Sequence, residues 1–149
     1  MSAGGVFKSV NGGESWSKLE TSSDAGFALA LDPRDSSTVY AGTTRGVLKS
    51  TNGGTSWSWS NTGEFSGHVH ALAIDPLVSS TVYAATDYGV AMSTNGGANW
   101  SQVNTGLTDA RGGPRMKVEA LAIDPLVPGT LYAGKMRGGI FKSTNRGAD

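Results

Sequence analysis

Short runs in which large and small residues alternate recur along the chain. Phe27-Ala28-Leu29-Ala30-Leu31 is the first, His70-Ala71-Leu72-Ala73-Ile74 the second and Glu119-Ala120-Leu121-Ala122-Ile123 the third. A period of two is that of a β-strand. Each run stops at an Asp-Pro pair (Asp32-Pro33, Asp75-Pro76, Asp124-Pro125), because proline cannot continue a sheet ladder. Further strand-like runs follow each stop. They fall at 38–41, 46–50 and 57–60, then at 81–84, 89–93 and 100–103, and finally at 130–133 and 139–143. Two more precede the first set, at 5–9 and 16–19. No segment shows the spacing of an amphipathic helix, so the chain is expected to be all-β with essentially no helix.

The third run of each set leads into a fixed pattern, S-x-N-x-G-x-x-W. It is complete as Ser9, Asn11, Gly13 and Trp16, as Ser50, Asn52, Gly54 and Trp57, and as Ser93, Asn95, Gly97 and Trp100. A fourth copy, Ser143, Asn145 and Gly147, has no tryptophan. Copies are spaced by about 41 to 50 residues, the period of a repeat architecture. Asn-Gly supplies the backbone freedom of a tight reversal, and short polar side chains bond turn amides that a sheet leaves unpaired. The tryptophan then opens the outgoing strand and lays its ring over the hairpin as core. These residues are therefore expected to be structural.

The pattern resembles the Asp-box, or BNR repeat, of sialidases, xyloglucan-type glycosidases, sortilin-like receptors and photosystem assembly factors. Here asparagine stands at every aspartate position of that box. The resemblance implies a β-propeller with blades of four antiparallel strands. On that expectation the 149 residues form one propeller segment. Residues 4–19 make a half blade, 27–60 and 70–103 make blades, and 119–143 make an incomplete blade.

Composition narrows the partners. Twelve basic and twelve acidic residues cancel, so no global field draws the chain to nucleic acid or to an anionic membrane. No apolar run approaches the roughly 20 residues of a membrane helix. The absence of cysteine removes disulfides and thiolate chemistry. The start of the sequence has no leader pattern and enters a strand almost at once. No cofactor and no metal are expected.

Strand order puts the Asp-Pro loops and box turns on one face, nearly identical from repeat to repeat. The opposite face carries the loops that differ, where repeat proteins tend to place function. Its residues include Arg45, Asp87, Tyr88, Lys135 and Arg137 at loop tips. The links between blades add Glu64, Phe65, His68 and His70, and then Arg111, Arg115 and Lys117. His68 and His70 are two apart and suit one strand face, but a metal site lacks further ligands.

Two functions compete. One is a non-catalytic scaffold or binding module for a glycan or peptide. The other follows from Tyr83-Ala84-Ala85-Thr86-Asp87-Tyr88-Gly89, which is similar to the segment around one catalytic aspartate of xyloglucan-type glycosidases and would make Asp87 an acid or base. Glycoside hydrolysis ordinarily uses two carboxylates, and the matching loops offer Arg45 and Arg137 instead. The chain is therefore expected not to be an enzyme.

About three blades fall short of the four to eight of a closed ring, and an open arc exposes apolar blade faces. A homo-oligomer is expected, with two three-blade chains joined head to tail into a six-bladed dimer. At each junction Gly5-Val6-Phe7-Lys8-Ser9 of one chain and Gly139-Ile140-Phe141-Lys142-Ser143 of the other compete for the same third-strand position. The N-terminal copy is expected to win, since it brings a complete box and an outer strand.

Overall fold

A computed structural model describes residues 5–19, 26–60, 67–107, 116–136 and 138–149. All regular structure among these residues is antiparallel β, in four sheets of two to four strands. The first sheet pairs β1 (Phe7–Lys8) with β2 (Ser17–Lys18). The second runs β3 (Gly26–Leu31), β4 (Val39–Thr43), β5 (Gly46–Ser50), β6 (Ser58–Trp59) in spatial order. The third repeats it with β7 (Val69–Ile74), β8 (Val82–Thr86), β9 (Gly89–Ser93) and β10 (Ser101–Gln102). The last has β11 (Val118–Ile123), β12 (Leu131–Lys135) and β13 (Gly139–Ser143), with no outer strand among the described residues.

The box turns form as their chemistry dictates. In each, the serine hydroxyl donates to the asparagine Oδ1 and accepts the amides of the asparagine and the following box glycine. Each asparagine Oδ1 also accepts the amide four residues on, from Ser15, Ser56, Asn99 or Asp149. The glycine after each asparagine is left-handed, with φ of 71°, 66° and 66° at Gly12, Gly53 and Gly96. Arg146 takes that place in the fourth copy at φ 63°, a conformation that disfavours a side chain.

Neighbouring sheets are joined by a repeated seam. Tyr40 of β4 donates its hydroxyl to the Gly96 carbonyl of the next box at 3.0 Å, and Lys49 Nζ reaches the same oxygen at 2.8 Å. Trp100 is buried there with Tyr40, Val47, Val82 and Ala84. Its indole N–H donates both to Gly97 O of its own turn and to Ser60 O of the preceding sheet.

The tryptophans do not share one environment. Trp100 is 6% exposed, Trp57 is partly buried and Trp16 is 63% exposed, against the expectation that all three are core. Among the described residues Trp16 belongs to a two-stranded hairpin, with no further strand to cover its ring. The inner strand differs in the same way. Leu72 and Ile74 pack against the preceding sheet, whereas Leu29 and Leu31 are exposed, because among the described residues the first sheet has no inner strands to meet them. β13 holds the third-strand position of the last sheet in the single chain.

Candidate functional site

The inner strands β3, β7 and β11 line an open concavity of about 460 Å³, floored by alanines and by Pro33, Pro76 and Pro125. On the variable face, each inner strand begins with a bulge. The register slips between Gly26 and Ala28, between Val69 and Ala71, and between Val118 and Ala120. The unpaired residues are Phe27, His70 and Glu119. A bulge frees its residue from the ladder and re-aims it, which is why bulges gather near functional sites.

At the second bulge the His70 Nε2 lies 2.9 Å from Asp87 Oδ1. Asp87 sits in the tight β8–β9 turn, which Thr86 braces by accepting the Tyr88 amide and donating to Gly89 O. The hydrogen bond from His70 holds the Asp87 carboxyl below the usual carboxylate range. Partial burial opposes this, and the charges of His70, His68 and Lys117 add to it. The His68 ring stands 6.1 Å from that of His70, tilted by 53°. Beside them Lys117 Nζ pairs with Glu119 Oε1 at 2.9 Å.

The structure thus brings together His68, His70, Asp87 and Lys117 and adds Glu119. Tyr88 flanks the group, its ring close against Gly67 and its carbonyl held by Asn104. Arg45 and Lys135 do not join. The Arg45 guanidinium lies over the Trp59 ring of the outer strand β6 at 5.5 Å, and Lys135 Nζ lies over Phe141 of the adjacent strand β13 at 5.5 Å. Arg137, Glu64, Phe65, Arg111 and Arg115 lie outside the described residues. Among the described residues no group of three His, Cys, Asp or Glu comes together to hold a metal.

Glu119 is the candidate residue that strand reading passes over. Its signal is a column of the repeat: Phe27, His70 and Glu119 differ completely just ahead of three near-identical Ala-Leu-Ala runs. Chemically, the arrangement offers two carboxylates, two imidazoles and an ammonium along a rim at the starts of the inner strands. Such a rim suits a polar ligand with both donors and acceptors.

No protein-family model matches the chain, and no curated relative matches it. Solved structures do. The chain is similar to an ancestral GH74 enzyme, with a TM-score of 0.82 and 28% identity over 98% of this chain and 21% of that one. A GH74 enzyme of Niastella koreensis gives 0.79 and 25% over 99% and 26%. YCF48 bound to D1 peptide gives 0.65 and 13% over 85% and 40%, a likeness of fold alone. The chain therefore spans about a fifth to two fifths of these chains. Its all-β sheets have the neighbours of a β-propeller.

Proposed function

We propose that the chain is a non-catalytic β-propeller scaffold that binds a ligand at its variable face and closes its ring by self-association. In this reading the sheets are blades of the Asp-box type, and two chains join head to tail as a six-bladed dimer. The observation that carries it is apolar surface left exposed at two edges of the sheets among the described residues. Each exposes apolar side chains, Leu29 and Leu31 beside the first and Ile140 on the last. Burying such surface drives association at roughly 25 cal/mol per Å².

The rim favours binding over catalysis. A general acid needs a raised pKa, and Asp87 is shifted the other way by His70. Glu119 is neutralised by Lys117. Light scattering tests the assembly. We expect twice the 15.3 kDa chain mass at micromolar concentration, and a monomeric mass would overturn the reading. Ligand screening with glycans and peptides tests the face. Changing His70, Asp87, Lys117 and Glu119 to alanine together should abolish binding without unfolding.

A second reading is favoured by the likeness to GH74 enzymes at 28% and 25% identity. In it Asp87 works on a glycoside, ionised as a base or nucleophile requires. Hydrolysis of a β-glucan that disappears in Asp87→Ala would establish this reading in place of the first.

A further inference from the structure

The rim formed by the starts of β7 and β11 and the β8–β9 turn has a charge balance that its imidazoles control. Asp87 and Glu119 bring two carboxylates, Lys117 brings one ammonium, and His68 and His70 bring two imidazoles. With both rings neutral, two negative charges face one positive, a surplus of one negative. With both rings protonated, three positive charges face two negative, and the sign reverses. Imidazole is the side chain that makes this change between about pH 5 and 8.

Hydrogen bonding says what the neutral rim offers. The Asp87 carboxylate only accepts, so the hydrogen shared at 2.9 Å sits on His70 Nε2 and leaves a lone pair on Nδ1. His70 meets one Asp87 oxygen and Lys117 meets one Glu119 oxygen, so each carboxylate keeps a second acceptor. Tyr88 adds an exposed ring, held against the backbone at Gly67 just ahead of His68. Acceptors, a negative surplus and an aromatic face together suit an ammonium or guanidinium group. Two described cations of the neighbouring loops, Arg45 and Lys135, are occupied over Trp59 and Phe141.

We propose that this rim binds a ligand ammonium or guanidinium group at neutral pH and releases it when His68 and His70 take up protons. The inference rests on the binding reading proposed above and names its ligand class. Asp87 keeps its charge through the change, because the His70 hydrogen bond holds its carboxyl below the usual carboxylate range. Acidification therefore acts through the rings. Protonation also turns the His70 Nδ1 from an acceptor into a second donor. Two new charges about 6 Å from a bound cation weaken its affinity roughly tenfold even in a water-like dielectric. Binding is thus fully present above the imidazole range and is lost as pH falls through it.

Calorimetry on the full chain in low salt tests this at about pH 7.5 and about pH 5. The probes are spermidine, as a free amine, and a blocked tetra-arginine peptide, as a run of basic side chains. Cellotetraose serves as a neutral control and tetragalacturonate as an acidic one. We expect a cation to bind at the higher pH and to bind at least about tenfold more weakly at the lower. Spermidine binding alone would assign a free amine, and tetra-arginine binding alone a basic peptide. His68→Gln with His70→Gln should keep the neutral affinity and flatten the pH dependence, since glutamine donates and accepts without titrating. Lys117→Gln should tighten cation binding, an effect opposite to that of losing a merely structural contact, and Glu119→Gln should weaken it. The pH comparison uses the native sequence, so it decides even where a variant fails to fold. Equal cation affinity at the two pH values would overturn the inference. Binding of cellotetraose or tetragalacturonate in place of both cations, lost in the four-alanine variant, would overturn the inference and leave the binding reading standing. No binding by any probe or in the wider screen would overturn both.

Discussion

The seam at Trp100 and the seam at Arg146 use the same positions and reach different ends. In the first, indole, tyrosine hydroxyl and lysine ammonium all converge on one box, and its core residues are almost fully buried. In the second, Arg146 stands where the other boxes have glycine, a cavity lies beside the turn, and the close tyrosine contact is lost at 3.5 Å. Backbone pairing survives the loss, since β13 keeps full register with β12. The box turn thus shapes the hairpin, and Trp100 fastens its sheet to the preceding one.

Tryptophan truncations should separate the seams most. Trp100→Ala removes a buried ring and should cost about 3–5 kcal/mol in chemical denaturation. Trp16→Ala, measured in dilute protein, should cost under about 1 kcal/mol, and equal losses would erase the distinction.

Box glycines give the next contrast. A Cβ at Gly97 would collide with Ser60 Oγ, while one at Gly13 meets only the edge of Trp16 at 3.8 Å. Both have positive φ, so each alanine carries a backbone cost of about 1 kcal/mol. The collision adds to Gly97→Ala alone, which should destabilise by about 2 kcal/mol or more. Thermal melts of the two variants would show whether the gap exists.

Alkaline titration probes the tyrosines. Burial pushes the Tyr40 hydroxyl up to about 12, with Asp32 contributing, and also raises Tyr83. A raised folded-state value means that stability is fully present below pH 10 and is lost as pH rises toward 12. The first seam should suffer more, because its phenol donates at 3.0 Å against 3.5 Å. Tyr40→Phe should remove most of that alkaline sensitivity, and Tyr83→Phe less. The smallest effect lies at the rim. His70→Ala should let the Asp87 carboxyl rise toward 3.8, seen by NMR titration, because the hydrogen bond that lowers it is gone.

Much of the fold was legible because its signals are local. Period-two runs, Asp-Pro stops and Asn-Gly turns each act over a few residues, and Gly46–Ser50, Gly89–Ser93 and Gly139–Ser143 fall where those signals put them. The site was legible only in part. Nothing in the sequence near Arg45 or Lys135 says that an aromatic ring on another strand will hold each cation, since those contacts cross strands. Glu119 went unnoticed for the opposite reason. A bulge is a property of two strands in register, and a single strand read alone shows only an acidic residue at its start. Burial of Trp16 was misjudged because it depends on the neighbouring sheet, which the box pattern does not contain.

The box turns also bear on how the molecule ages. An asparagine followed by glycine is prone to lose its side-chain amide when the next backbone nitrogen attacks the side-chain carbonyl. At Asn52 and Asn95 that nitrogen is already donating elsewhere, Gly53 N to Ser37 O at 2.7 Å and Gly96 N to Ser80 O at 2.8 Å. The carbonyl under attack is meanwhile held by a serine hydroxyl and a backbone amide. The bonds that shape the turn therefore slow its chemical wear, and a sheet that stays seated keeps its asparagine intact.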